Sequence, residues 1–240
     1  ILRGTIIRFN NSDRTLLKKY KAKVSQIEES KAENSLIDND IKVWITSDTH
    51  YNHTNICRAT TKWRTPNGDI PIAQTRDFET LNKMNDTIVN NINEVVGYDD
   101  ILIHLGDWSF GGFEKIGEFR ERLVCQKIYL TYGNHDHHIV NNHEGCKRLF
   151  EGSEWFQQLN YLGETLELMH YPIASWNGLN KGRIHLHGHC HLPNNKKYGN
   201  GRRMDVGIDG NPEFAPYNLK KLINDMKKRP IGSELGADDN

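Results

Sequence analysis

From residue 41 onward the sequence predicts an α/β domain, on three observations. Six short β-rich runs recur along the chain, amphipathic helical patterns lie between several of them, and five of the runs end in oxygen- or imidazole-bearing residues, often beside a glycine. The chain of 240 residues is long enough for one good core and does not require a second domain.

Residues 1–40 read as an extension: GTIIRFN as a short strand, then a polar helix from about Ser12 with Leu16, Tyr20, Val24 and Ile27 on one stripe. The stripe is expected to pack on the main domain rather than dimerise, and Lys18, Lys19, Lys21 and Lys23 to form a solvated face rather than a nucleic-acid contact. The β-rich runs are KVWIT (42–46), ILIHL (101–105), KIYLT (127–131), TLELM (165–169), RIHLH (183–187) and MDVGI (204–208). Between them, Phe78, Leu81, Met84, Ile88, Ile92 and Val95 mark a helix over 78–96, and a second spans 113–124. KKYGNGRRMD reads as a hairpin with positive φ at both Asn200 and Gly201. Lys196, Lys197, Arg202 and Arg203 are expected to be exposed hairpin charge rather than a basic rim for a phosphodiester chain. A last helix covers 216–228, and Pro230 with the Gly-Ser-Asp-rich end predicts a frayed, flexible tail. The expected organisation is therefore an N-terminal extension (1–40), one domain (41–229) and a tail (230–240).

Lys plus Arg and Asp plus Glu both number 31, so no global field directs the chain to nucleic acid or membrane. Attraction for an anion must be local. Cys57, Cys125, Cys146 and Cys190 have no C-x-x-C spacing, which predicts reduced thiols and a cytoplasmic setting. No apolar stretch approaches a membrane span, and the N-terminus lacks a secretory apolar region. Of the 12 histidines, seven (His135, His137, His138, His185, His187, His189, His191) fall into two clusters, which points to metal.

The chemistry gathers where the runs end. KVWIT leads into Ser47-Asp48-Thr49-His50, ILIHL into Gly106-Asp107, KIYLT into Gly133-Asn134-His135-Asp136, TLELM into His170, and RIHLH into Gly188-His189-Cys190-His191. In α/β sheets the ligand site lies beyond the carboxyl ends of the strands, so these groups can pool in one place. Asp48 and His50 are two apart, as are His189 and His191; extended backbone would point each pair to one side, with Thr49 and Cys190 turned away. Cys190 is thus expected to be a small packed residue rather than a soft ligand. His104 and His185 lie inside apolar runs and are expected to be hydrogen-bonded core, His187 is left outside the ligand set, and His137, His138 and His143 are assigned to the surface. For His53 and Arg58 two readings stand level, a grip on substrate phosphate and the start of a capped helix.

The ordered set D-x-H, GD, GNHD, a lone His and GHxH over residues 48–191 resembles the calcineurin-like metallophosphoesterase family, and SDTHYNHTNI is similar to its small prokaryotic and phage-type members. The resemblance implies a four-layer αββα sandwich with a two-metal site at the strand ends. Asp48, His50 and His191 would hold one ion, Asn134, His170 and His189 the other, and Asp107 would bridge them. His135 would be the proton donor, oriented or charge-tuned by Asp136. Mixed imidazole, carboxylate and amide ligands suit two divalent transition-metal ions, manganese first, with iron, zinc, nickel or cobalt as alternatives.

Two divalent ions, two carboxylates and a bridging hydroxide leave a net charge of about +1, which favours a phosphate ester. The expected activity is hydrolysis of a phosphodiester or small phosphomonoester by metal-bound hydroxide, with His135 as general acid. The alternatives are a nuclease on DNA or RNA and an inactive binding scaffold. Trp108 follows Gly106-Asp107 and Asp136 follows GNH, where the family's Ser/Thr protein phosphatases carry Arg and Glu, so a phosphoprotein substrate is not expected. A nucleotide or nucleic acid fits the expected partner class, with no membrane; the oligomeric state is open.

Overall fold

In the computed structural model, which describes residues 41–233, each of the six expected runs overlaps a strand of one of two sheets, though MDVGI keeps only Met204 and Asp205 on its strand and turns into a short 3-10 helix at Ile208. The expectations for residues 1–40 and for the end of the tail lie outside the described residues.

The first sheet is built on β1 (Val43–Thr46), β2 (Ile101–His104), β3 (Lys127–Thr131) and β4 (Gly152–Glu154), all parallel, with β9 (Tyr217–Asn218) antiparallel on the far side of β1. The second joins β5 (Phe156–Tyr161), β6 (Glu164–Met169), β7 (Ile184–His187) and β8 (Arg203–Asp205) in that order. Only the β5–β6 pair is antiparallel there. Alternation along each strand divides the core in two. Ile45, Ile103 and Leu105 meet Leu166, Leu168, Ile184 and Leu186 between the sheets. Leu102, Ile128 and Leu130 face the other way, against α1 (Leu81–Val95) and α2 (Gly112–Arg122), through Met84, Ile88, Ile92 and Phe119. Two packed sheets with helices against the first agree with the metallophosphoesterase sandwich that the sequence implies, and the last helix adds Leu219, Leu222, Ile223 and Met226 to the core between the sheets.

Local chemistry moves several boundaries. The first helix begins at Leu81 because the Thr80 side chain caps it, accepting from the Lys83 N–H at 3.0 Å. The last, α5 (Leu219–Lys227), starts three residues later than expected, since Tyr217 and Asn218 pair with β1 and Asn218 caps the helix. The hairpin around residues 198–204 forms, but only Gly201 has positive φ, at 60°. Its charges are not the exposed set that the sequence predicts: Lys196 alone is exposed, and the other three are held against the fold. Lys197 is buried with Nζ over the Tyr217 and Tyr198 rings, and Arg202 and Arg203 bond the carbonyls of Gly182, Lys227 and Ile173. Two short helices, α3 (His137–Asn141) and α4 (His143–Cys146), follow β3. No helix among the described residues is long and apolar enough to cross a membrane.

Candidate metal centre

The parallel strands β1, β2, β3, β6 and β7 deliver Asp48, His50, Asp107, Asn134, His170, His189 and His191 just past their carboxyl ends. A parallel bridge from Ser47 to Gly207 ties the two sheets together beside them. Convergence does not come from extended backbone. Asp48, His50, Asp107, His189 and His191 all have φ between 48° and 71°, five of the eight described non-glycine residues in the left-handed region. Such conformations cost of order 1–3 kcal/mol each and persist where the surroundings enforce them. Here the turns run side by side: Asp48 N–H donates to Gly106 O at 2.9 Å and His50 N–H to Asp107 O at 3.0 Å. Two glycines permit the closeness. A Cβ on Gly188 would lie 2.0 Å from Ser47 Oγ and 2.3 Å from Asp48 Oδ2, and one on Gly133 would lie 2.3 Å from Asp107 Oδ1.

All seven predicted ligands meet in one place. His50 Nε2 is 3.0 Å from His191 Nε2, 3.4 Å from Asp107 Oδ2 and 4.0 Å from Asp48 Oδ1, and His191 Nε2 is 3.7 Å from Asp48 Oδ1. On the other side of Asp107, its Oδ2 is 3.5 Å from His170 Nε2. Asn134 Oδ1 lies 3.0 Å from that nitrogen and 2.9 Å from His189 Nδ1. The tautomers matter. His170 Nδ1–H donates to Leu105 O at 2.7 Å, and His191 Nδ1–H to Asp209 Oδ2 at 2.7 Å, so in the neutral rings both Nε2 atoms carry lone pairs. These lone pairs face oxygens or another imidazole. A cation between them resolves that contact, and the donor set fits divalent transition metals.

The titrating groups show the same mismatch. Burial raises Asp48 from 3.8 to about 7, and burial together with the Asp48 charge raises Asp107 from 3.8 to about 8. Burial lowers His170 to about 4 and, with His191 and Arg76 nearby, takes His50 well below its ordinary value. Carboxyls with raised pKa beside the lowered imidazoles of His50 and His170 hold protons that a metal ion would displace.

His135 is half-buried at the rim. Its backbone N–H donates to Asp107 Oδ1 at 2.9 Å, and its ring lies 4.8 Å from Phe110 and 5.5 Å from His50. Asp136 departs from the sequence expectation. Its buried carboxylate accepts N–H bonds from Asp107, Trp108 and Gly133 at 2.8–2.9 Å, and none of its described hydrogen bonds reaches the His135 ring. It clamps the two loops together. His53, which stood open between two readings, is buried beside the cluster, stacked on Phe110 at 3.6 Å with Nδ1 3.2 Å from His50 Nδ1. Arg58 starts no helix and instead pairs with Asp77 at 2.9 Å.

Two residues that sequence reasoning did not single out support the centre. Arg76 donates to the backbone carbonyls of Asp48 and Thr49 at 2.6 and 2.8 Å and holds Asp209 through two 2.8 Å bonds. Burial pushes the Asp209 carboxyl up, yet Arg76 and His191 hold it well below the usual range. Burial also opposes protonation of His191, and the Asp209 and Asp48 carboxylates outweigh it. His104 is hydrogen-bonded core, as expected: it accepts from Gly106 N–H at Nδ1, and Nε2–H donates to Thr49 Oγ1 at 2.9 Å. Cys190 is exposed, not packed.

The model of the calcineurin-like phosphoesterase family matches residues 41–225, most of the chain and all of this centre. The chain belongs to the calcineurin-like phosphoesterase family. Membership places it among metal-dependent phosphoesterases and gives it a phosphate-ester substrate. This phosphoesterase is 27% identical over 195 residues to an uncharacterized protein of Methanocaldococcus jannaschii, covering 79% of this chain and 94% of that one. In fold it is similar to a protein of unknown function from Aquifex aeolicus, with a TM-score of 0.53, 18% identity, and coverage of 77% of this chain and 99% of that one. A weaker likeness, with a TM-score of 0.39, 16% identity and coverage of 82% and 84%, is to a phosphoesterase from E. coli.

Proposed function

We propose that this phosphoesterase hydrolyses a phosphodiester or a small phosphomonoester at a dinuclear metal centre, with His135 as general acid. The observation that carries the reading is the position of Asp107, whose Oδ2 lies between His50 Nε2 at 3.4 Å and His170 Nε2 at 3.5 Å. Asp48, His50 and His191 would hold one ion, Asn134, His170 and His189 the other, with Asp107 shared. When bound, two divalent ions supply a nucleophile at neutral pH and neutralise charge on the phosphoryl oxygens.

The chain's own residues do the rest. Asp209 fixes His191 with Nε2 facing inward, as the Leu105 carbonyl does for His170. Asp136 sets the spacing of the Asp107 and His135 loops through three backbone bonds. His135, at the rim, would give its ring proton to the departing alkoxide. Burial, then His137, His191 and His189, lowers its pKa, so an anionic phosphate at its side is what would keep it protonated. The buried Lys197 and tethered Arg203 give no support to a long nucleic-acid track.

The test is hydrolysis of bis-p-nitrophenyl phosphate and p-nitrophenyl phosphate by metal-stripped protein after addition of Mn²⁺. Turnover that appears with Mn²⁺ and is lost in Asp107→Asn supports the reading. No turnover with any of Mn²⁺, Zn²⁺, Co²⁺ or Ni²⁺ would favour an inactive scaffold.

A further inference from the structure

A second set of ligands lies next to the centre and uses none of its seven residues. A ring nitrogen of His187, Sγ of Cys190 and a carboxylate oxygen of Asp205 all lie within 4.8 Å of one another. His187 and Asp205 are register partners across the parallel strands β7 and β8, so their side chains leave the same face of the sheet. Cys190 reaches back to them from the turn in which Cys190 N–H donates to Gly188 O at 2.9 Å.

Each group is prepared for a cation. His187 Nδ1–H donates to the Gly188 carbonyl at 2.9 Å, which leaves Nε2 as the lone-pair nitrogen; ligating histidines commonly anchor their other nitrogen in this way. Asp205 is fully buried, and among the described residues its oxygens accept the N–H groups of Gly207 at 2.7 Å and Leu192 at 3.2 Å and no others. One lone pair on each oxygen is left over. No described ion pair includes Asp205, and a buried carboxylate without a cationic partner is costly. The exposed Cys190 opens the cluster to solvent on one side.

We propose that His187, Cys190 and Asp205 form a separate site for one thiophilic divalent ion, zinc by preference. A thiolate, an imidazole and a carboxylate make three ligands of a tetrahedral zinc site, with water as the fourth on the open side. Thiolate and carboxylate charges together cancel those of the ion, so it enters without leaving net buried charge. The site spans the turn that carries His189 and His191, and Asp205 also holds Leu192 N–H, so an ion here ties that turn to the end of β8.

Cobalt substitution tests this in the full-length protein. The proposed dinuclear centre has only nitrogen and oxygen donors, and Cys57, Cys125 and Cys146 are buried, so a thiolate-to-cobalt charge-transfer band can come only from Cys190. The expected result is such a band on Co²⁺ loading of the wild type, absent in Cys190→Ser and weakened in Asp205→Asn, with one fewer zinc per chain retained by Cys190→Ser after desalting. Zinc should also slow alkylation of Cys190 by iodoacetamide at least tenfold, read by peptide mass. No band, equal zinc in wild type and variant, and unprotected Cys190 would overturn the proposal. Because the band reports sulfur ligation alone, it is independent of whether the protein hydrolyses any phosphate ester.

Discussion

Asp209 Oδ2 lies 2.7 Å from His191 Nδ1, while Arg76 grips both oxygens of the same carboxylate at 2.8 Å. The chain Arg76–Asp209–His191 ends at the Nε2 atom that faces Asp48 and His50, so a residue outside the ligand set governs how well a ligand is aimed. Asp209→Ala should therefore weaken metal binding by about 10–100-fold while leaving the fold intact. Isothermal titration of Mn²⁺ into metal-stripped wild type and variant measures it; equal affinities would remove Asp209 from the centre.

Much of this site was legible in the chain. The ends of five apolar runs locate all seven proposed ligands, because parallel strands must expose their carboxyl ends on one side. The reason for pairing Asp48 with His50 and His189 with His191 was different, however: left-handed turns aim them, and i, i+2 spacing does not reveal a positive φ. Asp209 was signalled in the same way as the others, by Gly207 and an acid just after the run MDVGI. Arg76 had no such signal, since it closes an irregular loop and its partner is 133 residues away. Strands β4, β5 and β9 read GSE, FQQLNY and YN, too short or too polar for the alternation that marks a strand.

Replacing His135 by Ala should leave metal content unchanged and slow turnover by about 10²–10⁴-fold for substrates with poor leaving groups. Loss should be much smaller for p-nitrophenyl esters, whose leaving group needs little protonation. Comparison of kcat for alkyl and p-nitrophenyl phosphodiesters checks it, and a uniform loss on both would contradict a proton-donor role.

Asp136 makes three buried bonds from one carboxylate, so Asp136→Ala leaves three backbone N–H groups without that acceptor. At about 1–3 kcal/mol for each buried donor left unsatisfied, the expected loss of unfolding free energy is roughly 3 kcal/mol or more. Urea denaturation measures it, and Asp136→Asn, which keeps an acceptor oxygen, should lose less. A variant as stable as the wild type would deny the clamp.

The raised carboxyls give a pH signature. Between an unfolded value near 3.8 and folded values of about 7 for Asp48 and about 8 for Asp107, the folded ion-free protein binds more protons than the unfolded chain. These two groups therefore make stability fall as pH rises through that window. Metal ions displace the same protons, so the gain in Tm on adding Mn²⁺ should be larger at pH 8 than at pH 6. Thermal melts with and without Mn²⁺ at the two values check the sign; a larger gain at pH 6 would contradict it.

In the proposed centre seven side chains from five strand ends hold two ions that share Asp107. Anomalous diffraction from crystals grown with Mn²⁺ measures this directly. Two manganese peaks are expected about 3.5–4 Å apart, with Asp107 between them, Asp48, His50 and His191 around one, and Asn134, His170 and His189 around the other. A single peak at this position, or ions bound only elsewhere while these seven groups remain bonded to one another, would contradict it.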